Sequence, residues 1–234
     1  MADLSVKYMG IELKNPVIVG ACNLVTSEEN MKRMEEAGAS AIVYKSLFEE
    51  QVQLESLQLS EELGEYNERH AEMISLFPDV EHAGPEEYLI NLKKAVKSVD
   101  IPVFGSLNAI EFETWVDYAK KIEETGVAGL EANFYFVPED FEISGKAIIQ
   151  EQLDILEGLK KNLNIPVAVK LSPYYTNVLY VINEMDKLGA DAFVFFNRLF
   201  QPEIDIDNET HHFPYNLSQQ EDNRYPLRIA GLLY

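Results

Sequence analysis

Two lysines and three asparagines stand where apolar runs of this chain stop, and their types are suited to chemistry. Lys45 closes AGASAIVYK and Lys170 sits in IPVAVKLS; Asn108 ends IPVFGSLN, Asn133 ends TGVAGLEAN and Asn197 ends LGADAFVFFN. A lysine at the end of a buried strand needs a partner. Two of them point to an anionic ligand or a developing negative charge, or else to pairing with the chain's own carboxylates. An amide donates and accepts at once, which suits the edge of a heterocycle, although a single strand-end Asn is also an ordinary turn residue. Glu131, two residues before Asn133, points to the same side of its strand and reads as a structural partner for a lysine. Cys22, just past the run NPVIVGA, either touches a ligand or is an inert buried thiol. His70, His82, His211 and His212 lie in polar loops without the spacing of a ligand set, so no metal is expected.

These residues meet only if the elements carrying them are parallel and adjacent. The runs ending at Lys45, Asn133 and Asn197 each follow a helix that stops at a glycine (Gly38, Gly126, Gly189). They alternate with runs of the form Asn/Ile-Pro-Val opened by Asn15, Ile101 and Ile165. Ile101 to Ile165 is 64 residues and Gly126 to Gly189 is 63, so a two-strand unit repeats. Such a parallel βα array delivers all its polar strand ends to one rim, where folds of this kind keep their sites. Leu4 to Leu13 reads as a β-hairpin that could plug one end of a barrel, ahead of a first core strand at 17–21. Helices are expected from Thr26–Ser27 to Gly38 and over 85–99, 111–124, 145–163 and 176–188. No GxGxxG or GxxxxGK follows the first strand, which favours a (β/α)8 TIM barrel over a nucleotide-binding doubly wound sheet. Six strands are found. A polar stretch follows from Leu199, then PLRIAGLLY as the start of a helix, so the barrel is expected to be truncated after about six βα units.

At 234 residues and 47% hydrophobic composition, residues 1–234 are expected to form a single domain. No apolar stretch approaches the roughly 20 residues of a membrane span, and one cysteine permits no internal disulfide, so a cytoplasmic protein is expected. Forty acidic against 19 basic residues give a net charge of −21, which argues against nucleic acid or an anionic membrane as a partner. Residues 48–87 hold twelve acidic residues and one basic, Arg69. There the repeat is stretched, Gly38 to Gly126 being 88 residues. This acidic excursion leaves the rim beside the site and reads as a solvated loop, a lid or a partner surface.

NPVIVGA opening the first strand, YKSL around Lys45, the E-x-N of Glu131 to Asn133, PVAVKLSP around Lys170 and FFNR around Asn197 together resemble the flavin-dependent dihydroorotate dehydrogenase family. The likeness is to the soluble class and its dehydrogenase-like relatives, and it covers about Leu4 to Tyr234. It implies a barrel with FMN at its C-terminal mouth, a role in pyrimidine biosynthesis, a small-molecule substrate and a homodimer among the expected assemblies. It implies flavin contacts at Ala21, Cys22, Lys45, Ser46, Asn108 and Lys170, and substrate contacts at Lys45, Asn133 and Asn197. Lys170 is then the group beside the flavin N1 and O2. A fixed ammonium there stabilises the negative charge left when hydride arrives at N5.

The chain departs from that family in three ways. A Cys or Ser normally follows E-x-N as catalytic base, but here the sequence runs Asn133-Phe-Tyr-Phe-Val-Pro138-Glu139. Tyr135 is the candidate base, and its ordinary pKa near 10 would have to fall a long way. The family's Asn-rich substrate loop is replaced by the acidic excursion, and its Gly-Gly phosphate motifs on strands seven and eight have no counterpart. The reading is an FMN-dependent CH–CH oxidoreductase acting on a small reduced, dihydropyrimidine-like heterocycle. Two alternatives stay open: a lyase or aldolase forming a Schiff base at Lys170, and a non-catalytic accessory protein with a degenerate barrel.

Overall fold

The nearly continuous apolar runs become parallel strands because each has two faces to bury. The computed structural model describes residues 2–48, 85–109, 111–134, 141–197, 203–212 and 219–234. Strands β1 (Val6–Tyr8) and β2 (Ile11–Leu13) form the expected antiparallel hairpin, turned at Met9 and Gly10. The main sheet contains β3 (Ile18–Val19), β4 (Ala41–Val43), β5 (Leu47–Phe48), β6 (Val103–Asn108), β7 (Gly129–Asn133), β8 (Val167–Leu171) and β9 (Ala192–Phe195). Its order is β3-β4-β6-β7-β8-β9, parallel throughout, with β5 also pairing β6. Each strand adds to the same side as the last. The order never doubles back, as it must in a doubly wound sheet, so the sheet runs like part of a barrel wall.

Six helices are described: α1 (Glu28–Glu36), α2 (Pro85–Ser98), α3 (Phe112–Glu123), α4 (Gly145–Asn162), α5 (Val178–Lys187) and α6 (Arg224–Leu233). Ser27, Ser144 and Asn177 cap α1, α4 and α5 by accepting from the backbone N–H three residues on. Gly38, Gly126 and Gly189 follow α1, α3 and α5 with φ of +107°, +89° and +89°, the left-handed stop that glycine takes without strain. An acid stands three residues before each of these glycines, Glu35, Glu123 and Asp186, and the first two bond to the loops that follow. Glu35 accepts from the Asp100 N–H at 3.1 Å, and Glu123 accepts from those of Asn164 (2.7 Å) and Ile165 (3.0 Å). An acid there opposes the helix dipole, but a charge-assisted bond offsets this by pinning the loop that enters β6 or β8.

Side-chain alternation sorts the core in two. Ile42, Val103, Leu107, Leu130, Val167, Val169 and Leu171 join Met31, Leu92, Trp115, Ile122 and Leu156 of the helices. The opposite, concave face packs Ala41, Val43, Phe104 and Ala168 against Met9 and Leu13, so the hairpin covers the lower end of that face. Its small residues make room for the plug. A Cβ on Gly129 would lie 2.9 Å from Met9 Cε and 3.0 Å from the Pro166 carbonyl oxygen.

Three expectations are corrected. The strand expected to reach Lys45 stops at Val43, and a second short strand, β5, resumes on β6 after a break at 44–46. The Tyr88 hydroxyl from α2 donates to the Lys45 carbonyl (2.9 Å) and the Ser106 carbonyl (3.2 Å) and anchors that break. β9 likewise ends at Phe195, two residues before Asn197, although Asn197 N–H still donates to the Leu171 carbonyl at 2.7 Å. The stretch read as polar loop contains a second hairpin, β10 (Glu203–Asp205) with β11 (Thr210–His212), which places His211 and His212 in a strand. Asp205 stabilises its turn by accepting from the N–H groups of Asp207 and Asn208. Of the acidic excursion expected over 48–87, residues 85–87 open α2, while 49–84, with His70 and His82, and the segment 135–140 lie outside the described residues.

Gly129→Ala is expected to destabilise the fold by about 1–3 kcal/mol, because the Pro166 carbonyl is backbone and cannot step aside. Urea denaturation checks this; a lower midpoint with an unchanged slope is the expected result.

Candidate functional site

Three rungs rise along the concave face from the hairpin to the strand ends. The lowest holds Phe104 and Ala168 against Met9 and Leu13. The next is polar: Ser106 of β6 and Glu131 of β7 stand opposite each other in register. Above them stand Asn108, Asn133 and Lys170, the last two also paired in register. Residues two apart on a strand share a face, so one inward parity delivers Ser106 with Asn108 and Glu131 with Asn133.

Glu131 is 5% exposed, and its Oε1 takes two partners. Lys170 Nζ lies 3.6 Å away and the Ser106 hydroxyl donates from 3.3 Å. Ser106 in turn stands 2.7 Å from the Ser46 hydroxyl. Since the Ser106 proton is directed to the carboxylate, Ser46 is the donor in that pair. The result is a hydrogen-bonded line Ser46–Ser106–Glu131 ending at the ammonium of Lys170, whose side chain is 21% exposed. Below it, the Tyr8 hydroxyl is pushed up to about 12, first by burial and then by the Glu131 charge.

The asparagines cross-link the rim. Asn108 donates through Nδ2 to the Asn133 carbonyl at 2.8 Å, and Asn197 donates through Nδ2 to the Phe134 carbonyl at 3.4 Å. All three are buried, and Asn133 Oδ1 is a buried acceptor with no hydrogen-bond partner among the described residues. Such an atom costs stability unless a donor reaches it, and a ring N–H is a suitable donor.

The structure therefore brings Lys170, Asn108, Asn133, Asn197 and Ser46 to one end of the sheet, with Lys45 half-buried beside Ser46. Ala21 packs against the lower concave cluster. Cys22 is exposed at the start of a one-turn 3-10 helix, which corrects the reading of it as a buried thiol. Tyr135 and Glu139 lie outside the described residues. Glu131 pairs with a lysine as expected. Sequence reasoning missed Ser106, Tyr8 and Tyr88; Ser106 was open to the i−2 rule that singled out Glu131. Among the described residues no group of His, Cys, Asp and Glu could hold a metal.

A dihydroorotate dehydrogenase B (NAD(+)) catalytic subunit from Thermoplasma volcanium is 30% identical over 217 residues, 88% of this chain and 65% of its own length. Subunits of the same name from Thermoplasma acidophilum and Methanocaldococcus jannaschii are 28% and 26% identical, covering 88% and 87% of this chain and 66% and 65% of theirs. The resemblance to the dihydroorotate dehydrogenase family thus holds along most of the chain, while the chain spans about two thirds of the length of these relatives. No family model matches it. A solved structure named as a dihydrodipicolinate synthetase from Pseudomonas aeruginosa aligns over 73% of this chain and 51% of its own at a TM-score of 0.45 and 14% identity.

An alkaline titration tests the burial of Tyr8. Its hydroxyl ionises near 10 in the unfolded chain and about 12 in the fold, so this contribution to stability is complete below about pH 10 and is lost as pH rises to about 12. Two units correspond to roughly 2–3 kcal/mol. Tyr8→Phe is expected to flatten that part of the decline in urea-unfolding free energy, and an unchanged decline would show that Tyr8 is not buried against Glu131.

Proposed function

We propose that this chain, similar along most of its length to dihydroorotate dehydrogenase B catalytic subunits, is a flavin-dependent oxidoreductase built on a (β/α)8 barrel. Its substrate is a small reduced heterocycle of dihydropyrimidine type. The observation that carries this reading is the ammonium of Lys170, held by a buried carboxylate one rung below a rim of three amides. That rim fits FMN with a substrate beside it: Lys45 and Lys170 supply positive charge toward the flavin, and Asn133 Oδ1, which has no donor among the described residues, is left to accept from the substrate. Bound there, FMN would supply the hydride acceptor.

The chain's own residues then have distinct work. Lys170 places a positive charge where negative charge grows during the reaction, and Glu131 and Ser106 fix its position beforehand, so little reorganisation accompanies the step. Asn108 and Asn197, locked by bonds to the backbone, orient planar ligands. Asn133 accepts a ring N–H and, with Lys45, selects the substrate. Ala21, Cys22, Lys45, Ser46, Asn108 and Lys170 are assigned to the flavin, and Lys45, Asn133 and Asn197 to the substrate. Residues 1–234 are taken as one domain. No helix among the described residues is long and apolar enough to cross a membrane, and a cytoplasmic enzyme fits the cysteine usage. The Schiff-base alternative would need Lys170 released from its ion pair with Glu131 to become a nucleophile.

The visible absorbance of the protein purified from its full-length gene tests the reading directly. Flavin bands bleached by a dihydropyrimidine support it. A colourless protein that borohydride labels covalently in the presence of substrate would support the lyase instead, and one that does neither would support the accessory role.

Lys170→Ala is expected to slow flavin reduction by roughly a hundredfold, about 3 kcal/mol of transition-state stabilisation, while weakening flavin binding far less. Stopped-flow reduction at the wild-type rate would remove Lys170 from this role. Dihydroorotate itself is expected to be a poor substrate, about 100-fold or more below a dihydropyrimidine that the enzyme prefers, because the segment from Asn133 to Glu139 offers no thiol or aliphatic hydroxyl as base. Steady-state rates on both compounds check this; dihydroorotate turnover near 10 per second, roughly the median enzyme rate, would contradict it.

A further inference from the structure

Gln152 of α4 is a polar side chain buried in an apolar wall, and one end of its amide is unused. That wall belongs to a cavity of about 630 Å³ between the first half of α4 and the segment from Ser172 to Tyr180 that leads from β8 into α5, a volume in the range of small-molecule sites. Its lining residues Phe134, Ile149, Leu153 and Tyr175 pack with the helix-side core, so the cavity lies on the face of the sheet opposite the concave rim. We propose that it is a second binding site, for a neutral planar ring bearing a carbonyl oxygen, such as an aryl ketone.

The oxygen is assigned from Gln152, which is 7% exposed. Its Oε1 accepts from the Tyr175 hydroxyl at 2.7 Å. Burial pushes that hydroxyl up to about 12, so it stays a donor through the neutral range and fixes which end of the amide it meets. Nε2 is left with two N–H donors and no acceptor among the described residues. It is not sealed off as Trp115 Nε1 and Asn133 Oδ1 are, and so is reached from the cavity that its side chain lines. Ser172, also in the wall, accepts from the Tyr174 N–H at 3.2 Å, and its own O–H has no acceptor among the described residues. A ligand oxygen that meets these donors satisfies groups the fold leaves open.

The ring is assigned from the rest of the wall. Tyr174 and Tyr180 are 67% and 53% exposed, so the core does not consume their faces, and aromatic faces stack on planar rings. Phe134, Ile149 and Leu153 supply apolar surface beside them. Both buried-side donors are neutral, and an ion set against that apolar surface would lose hydration without a counter-charge at its depth, since Lys146 of the wall is exposed to solvent. A neutral ring keeps the gain from stacking and avoids that cost.

Saturation-transfer NMR titration of the full chain with acetophenone, with ethylbenzene, which has nearly the same shape and no acceptor, and with benzoate is the test. Acetophenone is expected to bind saturably, and ethylbenzene about tenfold more weakly for want of the hydrogen bond. Gln152→Met keeps the reach of the side chain and removes its N–H groups; it is expected to bring acetophenone down to the ethylbenzene level and to leave ethylbenzene unchanged. Tyr174→Ala is expected to weaken both rings alike, and Lys170→Ala neither. The wild-type comparison of acetophenone with ethylbenzene reads the donor without any substitution, so it decides the matter even where Gln152→Met folds poorly. Equal binding of those two rings, tighter binding of benzoate than of acetophenone, wild-type acetophenone affinity in Gln152→Met, loss of acetophenone binding in Lys170→Ala, or no saturable signal would each overturn the proposal.

Discussion

Glu131 carries a charge into the concave face of a sheet whose next rung down is wholly apolar, and at 5% exposure that charge persists only with partners. Lys170 and Ser106 are those partners, both converging on Oε1. Removing either would leave a buried carboxylate short of a donor or a counter-charge. The position of the ammonium follows from this requirement and not from the lysine's own long, flexible stem. A lysine at a barrel rim without such a tether would sample many positions and lose rotamer entropy on binding anything.

The requirement reaches down and across the fold. Downward, the hairpin must exclude water from the carboxylate, which it does with Met9, Leu13 and Tyr8, and Gly129 exists in β7 to let Met9 approach. Across the sheet, Ser106 meets Glu131 only in the observed register, because a slip of one residue would turn Glu131 toward the helices. That register is secured at the other end of the strands, where Glu35 and Glu123 pin the loops entering β6 and β8. The rim is thus positioned by bonds made at the opposite end of the strands.

Much of this was legible in the sequence, for identifiable reasons. Strands buried on both faces announce themselves as apolar runs, and the 63- and 64-residue spacings follow from a repeated unit whose glycines stop its helices. The helices fell within about two residues of expectation because Ser27, Ser144, Asn177 and the following glycines mark their ends locally. Strand ends were less legible. The chain past Val43 and past Phe195 stays tethered by single backbone bonds, and nothing in YKS or FFN marks where a ladder stops. β5 and the β10–β11 hairpin depend on tertiary pairing and on the Asp205 turn, signals too short to stand out in a polar stretch. The strand-end residues were singled out by type and the structure gathers them at one end of the sheet, whereas Ser106 was overlooked because serine in an apolar strand carries no charge to betray it.

On the function proposed, a tethered ammonium on the concave face would stabilise the reduced form of a bound flavin. The reduction potential of the flavin in the wild-type protein and in Lys170→Gln measures this most directly, since the substitution removes the charge and keeps a polar side chain of similar reach. A more negative potential is expected in the variant, because the reduced, anionic flavin loses that stabilisation. An unchanged or more positive potential would contradict it.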